Sequence, residues 1–153
     1  MELACETKMD RLMWSNVGGL ATMLSYDVTN PSDIPAEHWE FFDACQLYYE
    51  TDSYIFVHGG LQPDIPVEEQ DDETLLWLRI DELQAHESGK TIICGHTPQH
   101  DHKVLNLGHA ICVDTHAYAS GWLTCLEVES GDYWQANEAG ETRQLKLGKA
   151  QEL

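Results

Sequence analysis

Positive charge is scarce in this chain. Eight Lys and Arg stand against 27 Asp and Glu, a formal charge of −19 over 153 residues. A surface of that sign repels phosphate backbones and anionic lipid headgroups, which excludes a general nucleic-acid binder and an anionic membrane as partners. No apolar run reaches the roughly 20 residues that a membrane span needs. The first ten residues, Met-Glu-Leu-Ala-Cys-Glu-Thr-Lys-Met-Asp, have neither a basic nor an apolar signal-peptide region. No C-x-x-C pair occurs among the five cysteines, at 5, 45, 94, 112 and 125. An odd, unpaired set argues against a disulfide framework or zinc ribbon and predicts a reducing, cytoplasmic setting. Internal repeats and low-complexity tracts are also missing.

What is present suffices for a core. Hydrophobic residues make up 42% of the chain, with five Trp, six Tyr and three Phe. The length corresponds to about one domain, so one compact α/β (α+β) domain is expected over residues 1–153. Gly18-Gly19 splits helix formers in residues 1–26 into two short helices. Apolar residues from Pro35 to Tyr49 recur at helical spacing, and residues 73–86 read as another helix, with Leu75, Leu76, Leu78 and Leu83. Between and after these lie two apolar, β-branched runs, 53–57 and 91–94, each predicted as a buried strand. Beyond residue 103 the stretches 103–107, 110–113, 122–128 and 133–137, punctuated by Gly108, Gly121 and Gly131, suggest an antiparallel meander.

Both buried strands run into a glycine-flanked histidine, His58-Gly59-Gly60 and Gly95-His96-Thr97. Strand ends are where sheet proteins place ligands, and imidazole is a common ligand for divalent metals. Hydrogen-bonded turn histidines are the plainer alternative. Arg79 lies among Asp71, Asp72, Asp81 and Glu82 and reads either as a surface ion pair or as a planar fork for an oxyanion. Asp114-Thr115-His116 follows a third apolar strand and reads either as a turn cap or as groups that bind metal or orient another ligand. His100-Asp101-His102 could chelate an added metal, although a solvated loop is the simpler reading. The acidic run 68–73 reads as a solvated face. Ser88-Gly89-Lys90-Thr91 imitates the end of a phosphate-binding loop, but residues 83–87 contain no glycine to complete it and it precedes a strand rather than a helix.

Five segments in order carry a resemblance. They are Trp14…Gly18-Gly19-Leu-Ala-Thr…Ser25-Tyr26, Phe56-Val57-His58-Gly59-Gly60, Leu76-Trp77-Leu78-Arg79, Gly95-His96-Thr97-Pro98 and Val113-Asp114-Thr115…Gly121-Trp122-Leu123-Thr124. Over about residues 10–130 this succession resembles the bacterial and phage branch of the phosphoprotein phosphatases, which are calcineurin-like metallophosphoesterases. The resemblance implies a β-sandwich flanked by helices with a dinuclear metal site at the strand ends. It implies a metal-dependent phosphomonoester hydrolase, a serine/threonine protein phosphatase or alternatively a diadenosine tetraphosphate hydrolase. It further implies His58 and His96 as ligands of one of two divalent ions (Mn²⁺ foremost, with Fe, Zn or Ni as alternatives) and Arg79 on the substrate phosphate, whereas Asp114 and His116 read as supporting groups from their place at a strand end alone. The substrate would be a phosphoprotein or a phosphorylated small molecule.

The family's first three motifs, Gly-Asp-x-His-Gly, Gly-Asp-x-x-Asp-Arg-Gly and Gly-Asn-His-Glu (or Asp), do not occur in this sequence. Asp114-Thr115-His116 also departs from the commoner Asp-Thr-Gly. The chain thus resembles the C-terminal half of such a domain, expected to be inactive alone. Two histidines cannot hold two divalent cations without a bridging carboxylate, and the absent general acid is worth about 10²–10⁴ in rate. A non-catalytic binding module is the alternative, and the missing first strands predict an unpaired sheet edge through which copies could associate.

Overall fold

The computed structural model describes residues 12–151. The chain falls into two compact units that divide between Gln46 and Leu47.

In the first unit the expected break at the glycines is present. Val17 and Gly18 leave helical geometry, Gly18 at φ +114°, before helix α1 (Leu20–Ser25) begins. A Cβ on Gly19 would lie 2.3 Å from the Trp14 indole, so only glycine lets that ring lie against the backbone. The part of the expected first helix before residue 12 lies outside the described residues. Helix α2 (Ala36–Ala44) starts directly after Pro35. It is shorter than its apolar spacing predicts. The chain turns extended at Cys45, and Tyr48–Glu50 becomes a strand in the second unit. The aromatic pair Tyr48-Tyr49 suits a pleated surface as well as a helix, and pairing with the next strand decides it.

The second unit is built on a five-stranded mixed sheet of order β1-β2-β3-β5-β4. Its members are β1 (Tyr48–Glu50), β2 (Tyr54–Val57), β3 (Thr91–Cys94), β4 (Leu105–Asn106) and β5 (Ala110–Cys112). The three central strands β2, β3 and β5 are parallel neighbours, and β1 and β4 flank them antiparallel. A second sheet, β6 (Leu123–Leu126), β7 (Asp132–Ala136) and β8 (Thr142–Lys146), is an antiparallel meander. The expected antiparallel pairing holds for β4 with β5 and again from β6 to β8, but β5 also pairs in parallel with β3, so 103–113 belongs to the mixed sheet and not to one continuous meander. β8 carries no apolar run to announce it.

Period-two alternation of the central strands makes two cores. Ile55, Val57, Ile92, Cys94, Ala110 and Cys112 face Leu61, Val67, Leu75, Ile80 and Leu83 of the β2–β3 crossover. Tyr54, Phe56, Ile93, Ile111 and Val113 face Leu126, Tyr133, Leu145 and Leu147 of the second sheet. Inside the crossover, helix α3 (Asp72–Trp77) is capped by the Asp71 carboxylate, which accepts from Thr74 N at 2.7 Å. The helix expected over 73–86 stops there. Leu78 and Arg79 are extended, and Ile80 opens a short 3₁₀ turn, Ile80–Glu82. The break buries Ile80 and lets its N–H donate to Thr97 Oγ1 at 3.0 Å.

Gln135 is buried between the sheets. Its amide donates to Thr124 Oγ1 at 2.8 Å and to the His102 carbonyl at 3.2 Å, and its oxygen accepts from Arg143 Nε at 2.7 Å. The Arg143 guanidinium lies 4.1 Å above the Trp122 ring. Gln135→Leu keeps most of the volume but strands Arg143 Nε, so it is expected to cost about 1–3 kcal/mol. Urea unfolding should show a lower midpoint at unchanged slope.

Candidate functional site

The three parallel strands end side by side. β2 ends at Val57 before His58, β3 at Cys94 before Gly95-His96, and β5 at Cys112 before Val113-Asp114. The hydrogen-bond ladder runs past the strand ends. Gly95 N donates to the His58 carbonyl at 2.9 Å and Val113 N to the Cys94 carbonyl at 2.8 Å. Two of the sequence-predicted ligands, His58 and His96, and one supporting group, Asp114, thus share one end of the sheet, where parallel sheets bind ligands.

Glycine at 59 is demanded by packing. Its N–H donates to the Leu75 carbonyl at 2.7 Å, and a Cβ would stand 2.8 Å from Leu76 C and Trp77 N. The end of α3 therefore sits directly on the end of β2 and delivers Trp77 to the site, its ring edge-on to His96 at 5.3 Å. His96 adopts a left-handed backbone, φ +60°.

The His58 and His96 rings are 5.2 Å apart between centroids and inclined by 60°. Two imidazoles on one tetrahedral ion, with nitrogens about 2.0–2.1 Å from it, have ring centres about 5 Å apart. The separation of the pair matches that spacing. Among the described residues no three His, Cys, Asp or Glu side chains stand arranged to hold a metal ion.

His58 is exposed, yet its pKa lies below the ordinary 6.5. Desolvation is the main cause, followed by the neighbouring His96 charge, with the Asp114 carboxylate acting in opposition. Neutral imidazole, the ligating form, is thereby favoured at pH 7. The sign for stability follows from linkage. The unfolded chain takes up the proton first, so the His58 contribution is complete above about pH 6.5 and is lost as the pH falls toward the lowered folded value. His96→Gln removes the like charge, and an NMR titration of the His58 ring should move to higher pH.

Arg79 is exposed, and its recorded partner is Asp81, Nε to Oδ1 at 3.7 Å. Solvent screening makes such a pair weak and leaves the fork free to meet a stronger anion. The Ile80–Thr97 hydrogen bond tethers the segment of Arg79 to the loop that carries His96. Asp114 Oδ1 accepts from His116 N at 3.0 Å. The His116 ring turns away from the pair to meet His100 at 4.6 Å and Tyr118 at 4.8 Å.

Sequence reasoning missed Trp77, Thr97 and a dithiol beneath the site. Cys94 and Cys112 face each other in register across β3 and β5, both buried. The Cys94 thiol is pushed up by its hydrogen bond to Cys112 and by burial. Each lies two residues before a site residue, and that strand-period spacing was the available signal. The chain matches no protein-family model and no curated protein.

Proposed function

We propose that this chain carries the C-terminal part of a metal-dependent phosphomonoester hydrolase of the phosphoprotein phosphatase type, with a calcineurin-like sandwich as its fold. The observation that carries this reading is the placement of His58, His96 and Asp114 at the ends of three adjacent parallel strands, with the imidazoles 5.2 Å apart. The sandwich of a mixed sheet against a second sheet, with a helical crossover on the outer face, agrees with it.

In this reading His58 Nε2 or Nδ1 and the corresponding His96 nitrogen are ligands of one divalent ion, Mn²⁺ foremost. Bound divalent ions supply Lewis-acid activation of water and neutralise charge on the phosphoryl group. Arg79 exchanges its screened pair with Asp81 for two oxygens of the substrate phosphate, which its planar fork can bind bidentately. Trp77 stands edge-on to the His96 ring and walls one side of the site. Asp114 lends negative charge beside His58, which favours a cation there. The substrate is a phosphoserine or phosphothreonine side chain. The remaining carboxylate, asparagine and histidine groups come from a segment with the motifs this sequence lacks.

Hydrolysis of p-nitrophenyl phosphate in excess Mn²⁺ tests this. The chain alone should give negligible turnover. Joined to a segment bearing Gly-Asp-x-His-Gly, Gly-Asp-x-x-Asp-Arg-Gly and Gly-Asn-His-Glu, it should turn over. Arg79→Ala should then lower kcat by about 10²-fold, the scale for losing one donor to a developing oxyanion. A joined protein that folds but never hydrolyses the ester contradicts the assignment.

A further inference from the structure

Two thiols meet beneath the strand ends. Cys94 and Cys112 stand opposite each other in the parallel register of β3 and β5, on the face that packs against the β2–β3 crossover, and both are fully buried. The Cys94 thiol donates to the Cys112 sulfur. The Cys112 thiol in turn reaches two carbonyls of the loop after β3, Gly95 at 3.5 Å and Thr97 at 3.4 Å, and its sulfur accepts from Gln99 Nε2 at 3.9 Å. Gly95 and Thr97 flank His96, which holds its left-handed backbone between them. A chain of sulfur hydrogen bonds thus runs from β3 through β5 to the backbone on both sides of His96.

The register suits a covalent link. Neighbouring strands lie about 4.7–4.9 Å apart, inside the range of about 4.4–6.8 Å that disulfides span between Cα atoms. Both side chains point to the same face, and their hydrogen bond already brings the sulfurs together. The exposed cysteines are placed differently. Cys45 donates to the Phe41 carbonyl, and Cys125 stands opposite Trp134 across β6 and β7.

We propose that Cys94 and Cys112 are a reversible oxidation site, at which hydrogen peroxide closes a disulfide between β3 and β5 and thereby releases the loop that holds His96. One sulfur attacks a peroxide oxygen, the O–O bond breaks, and a sulfenic acid and one water form. The second sulfur attacks the first, the S–O bond breaks, and the disulfide and a second water form. The two thiol protons leave in the waters, and two electrons pass from the sulfurs to the peroxide. Hydrogen peroxide suits the burial of the pair, because it is small and uncharged and local opening of the loop admits it. The link consumes both S–H donors, so the Gly95 and Thr97 carbonyls lose the bonds that Cys112 made to them, directly beside His96. Oxidation therefore acts on the sheet end that carries the candidate site. Neither the link nor its effect on His96 rests on the phosphatase reading.

Peroxide treatment of the Cys5→Ser/Cys45→Ser/Cys125→Ser variant, which keeps only this pair, tests it. After alkylation in denaturant the free thiols should fall from two per chain to none. The tryptic peptides 91–103 and 104–143, which carry Cys94 and Cys112, should run joined until dithiothreitol parts them. The NMR signals of the His96 ring should shift on oxidation and return on reduction, whereas those of His38 in the first unit stay in place. Cys94→Ala in the same background leaves the Cys112 bonds to Gly95 and Thr97 intact and should give no link, with circular dichroism confirming its fold. Two thiols still free after peroxide treatment of the folded protein would overturn the proposal. So would a link that forms only in denaturant, a link between two chains, or a link within the chain that leaves the His96 signals where they were.

Discussion

Gly121→Ala is expected to cost about 3 kcal/mol, the upper range for forcing an atom into packed structure. A Cβ there would lie 2.0 Å from the Thr115 carbonyl oxygen and 2.6 Å from that of His116. Both obstacles are backbone, so no side chain can swing aside. The crossing is also tightly bonded. Trp122 N donates to Thr115 O at 3.0 Å and Gly121 N to His116 O at 2.9 Å. The buried Thr115 hydroxyl donates to the Trp122 carbonyl and meets Thr124 Oγ1 at 2.6 Å. Moving the strand apart breaks several of these bonds at once. For a unit of about 100 residues the melting temperature should fall by roughly 10–20 °C. Thermal circular dichroism checks it. Gly148→Ala is the control, because a Cβ there meets nothing within 4 Å, and it should melt as wild type.

His58→Ala or His96→Ala should each weaken Mn²⁺ binding at the sheet end by at least about 100-fold. Removing even a residue that merely supports a ligand typically costs 10–100-fold, and here one of only two histidine donors is lost. The effect should be on binding alone. His58 is exposed and His96 half-buried, and neither ring has a protein hydrogen bond among the described residues, so melting temperatures should stay close to wild type. Asp114→Asn should weaken binding less, because it removes charge beside His58 and not a donor.

How much of this was legible depends on the kind of pattern. The strands before His58 and His96 are short apolar β-branched runs closed by glycine, and they lie where expected because burial on both faces demands that composition. The helix expected over 73–86 extends too far because Leu78 and Leu83 keep helical spacing while belonging to a core that Ile80 reaches through a 3₁₀ turn. The Tyr48-Tyr49 segment continues the helical spacing of α2, and only its hairpin pairing with Phe56-Val57 makes it a strand. β8 went unread because its inward positions are Arg143 and Leu145, and the arginine is satisfied by Gln135 and Trp122, which no local pattern reveals. At the site, the His58–His96 pair was visible from repeated Gly-His strand ends. The meeting of His100 with His116 was not, because it needs β5 to return beside β3.

The central claim is that His58 and His96 are two ligands of one divalent ion. Electron paramagnetic resonance of Mn²⁺ titrated with the chain tests it most directly, because bound Mn²⁺ loses the sharp six-line signal of the free ion. The account predicts one Mn²⁺ bound per wild-type chain, and none at the same concentrations for His58→Ala or His96→Ala. Equal binding by all three proteins would place the ion elsewhere on the acidic surface and contradict the account.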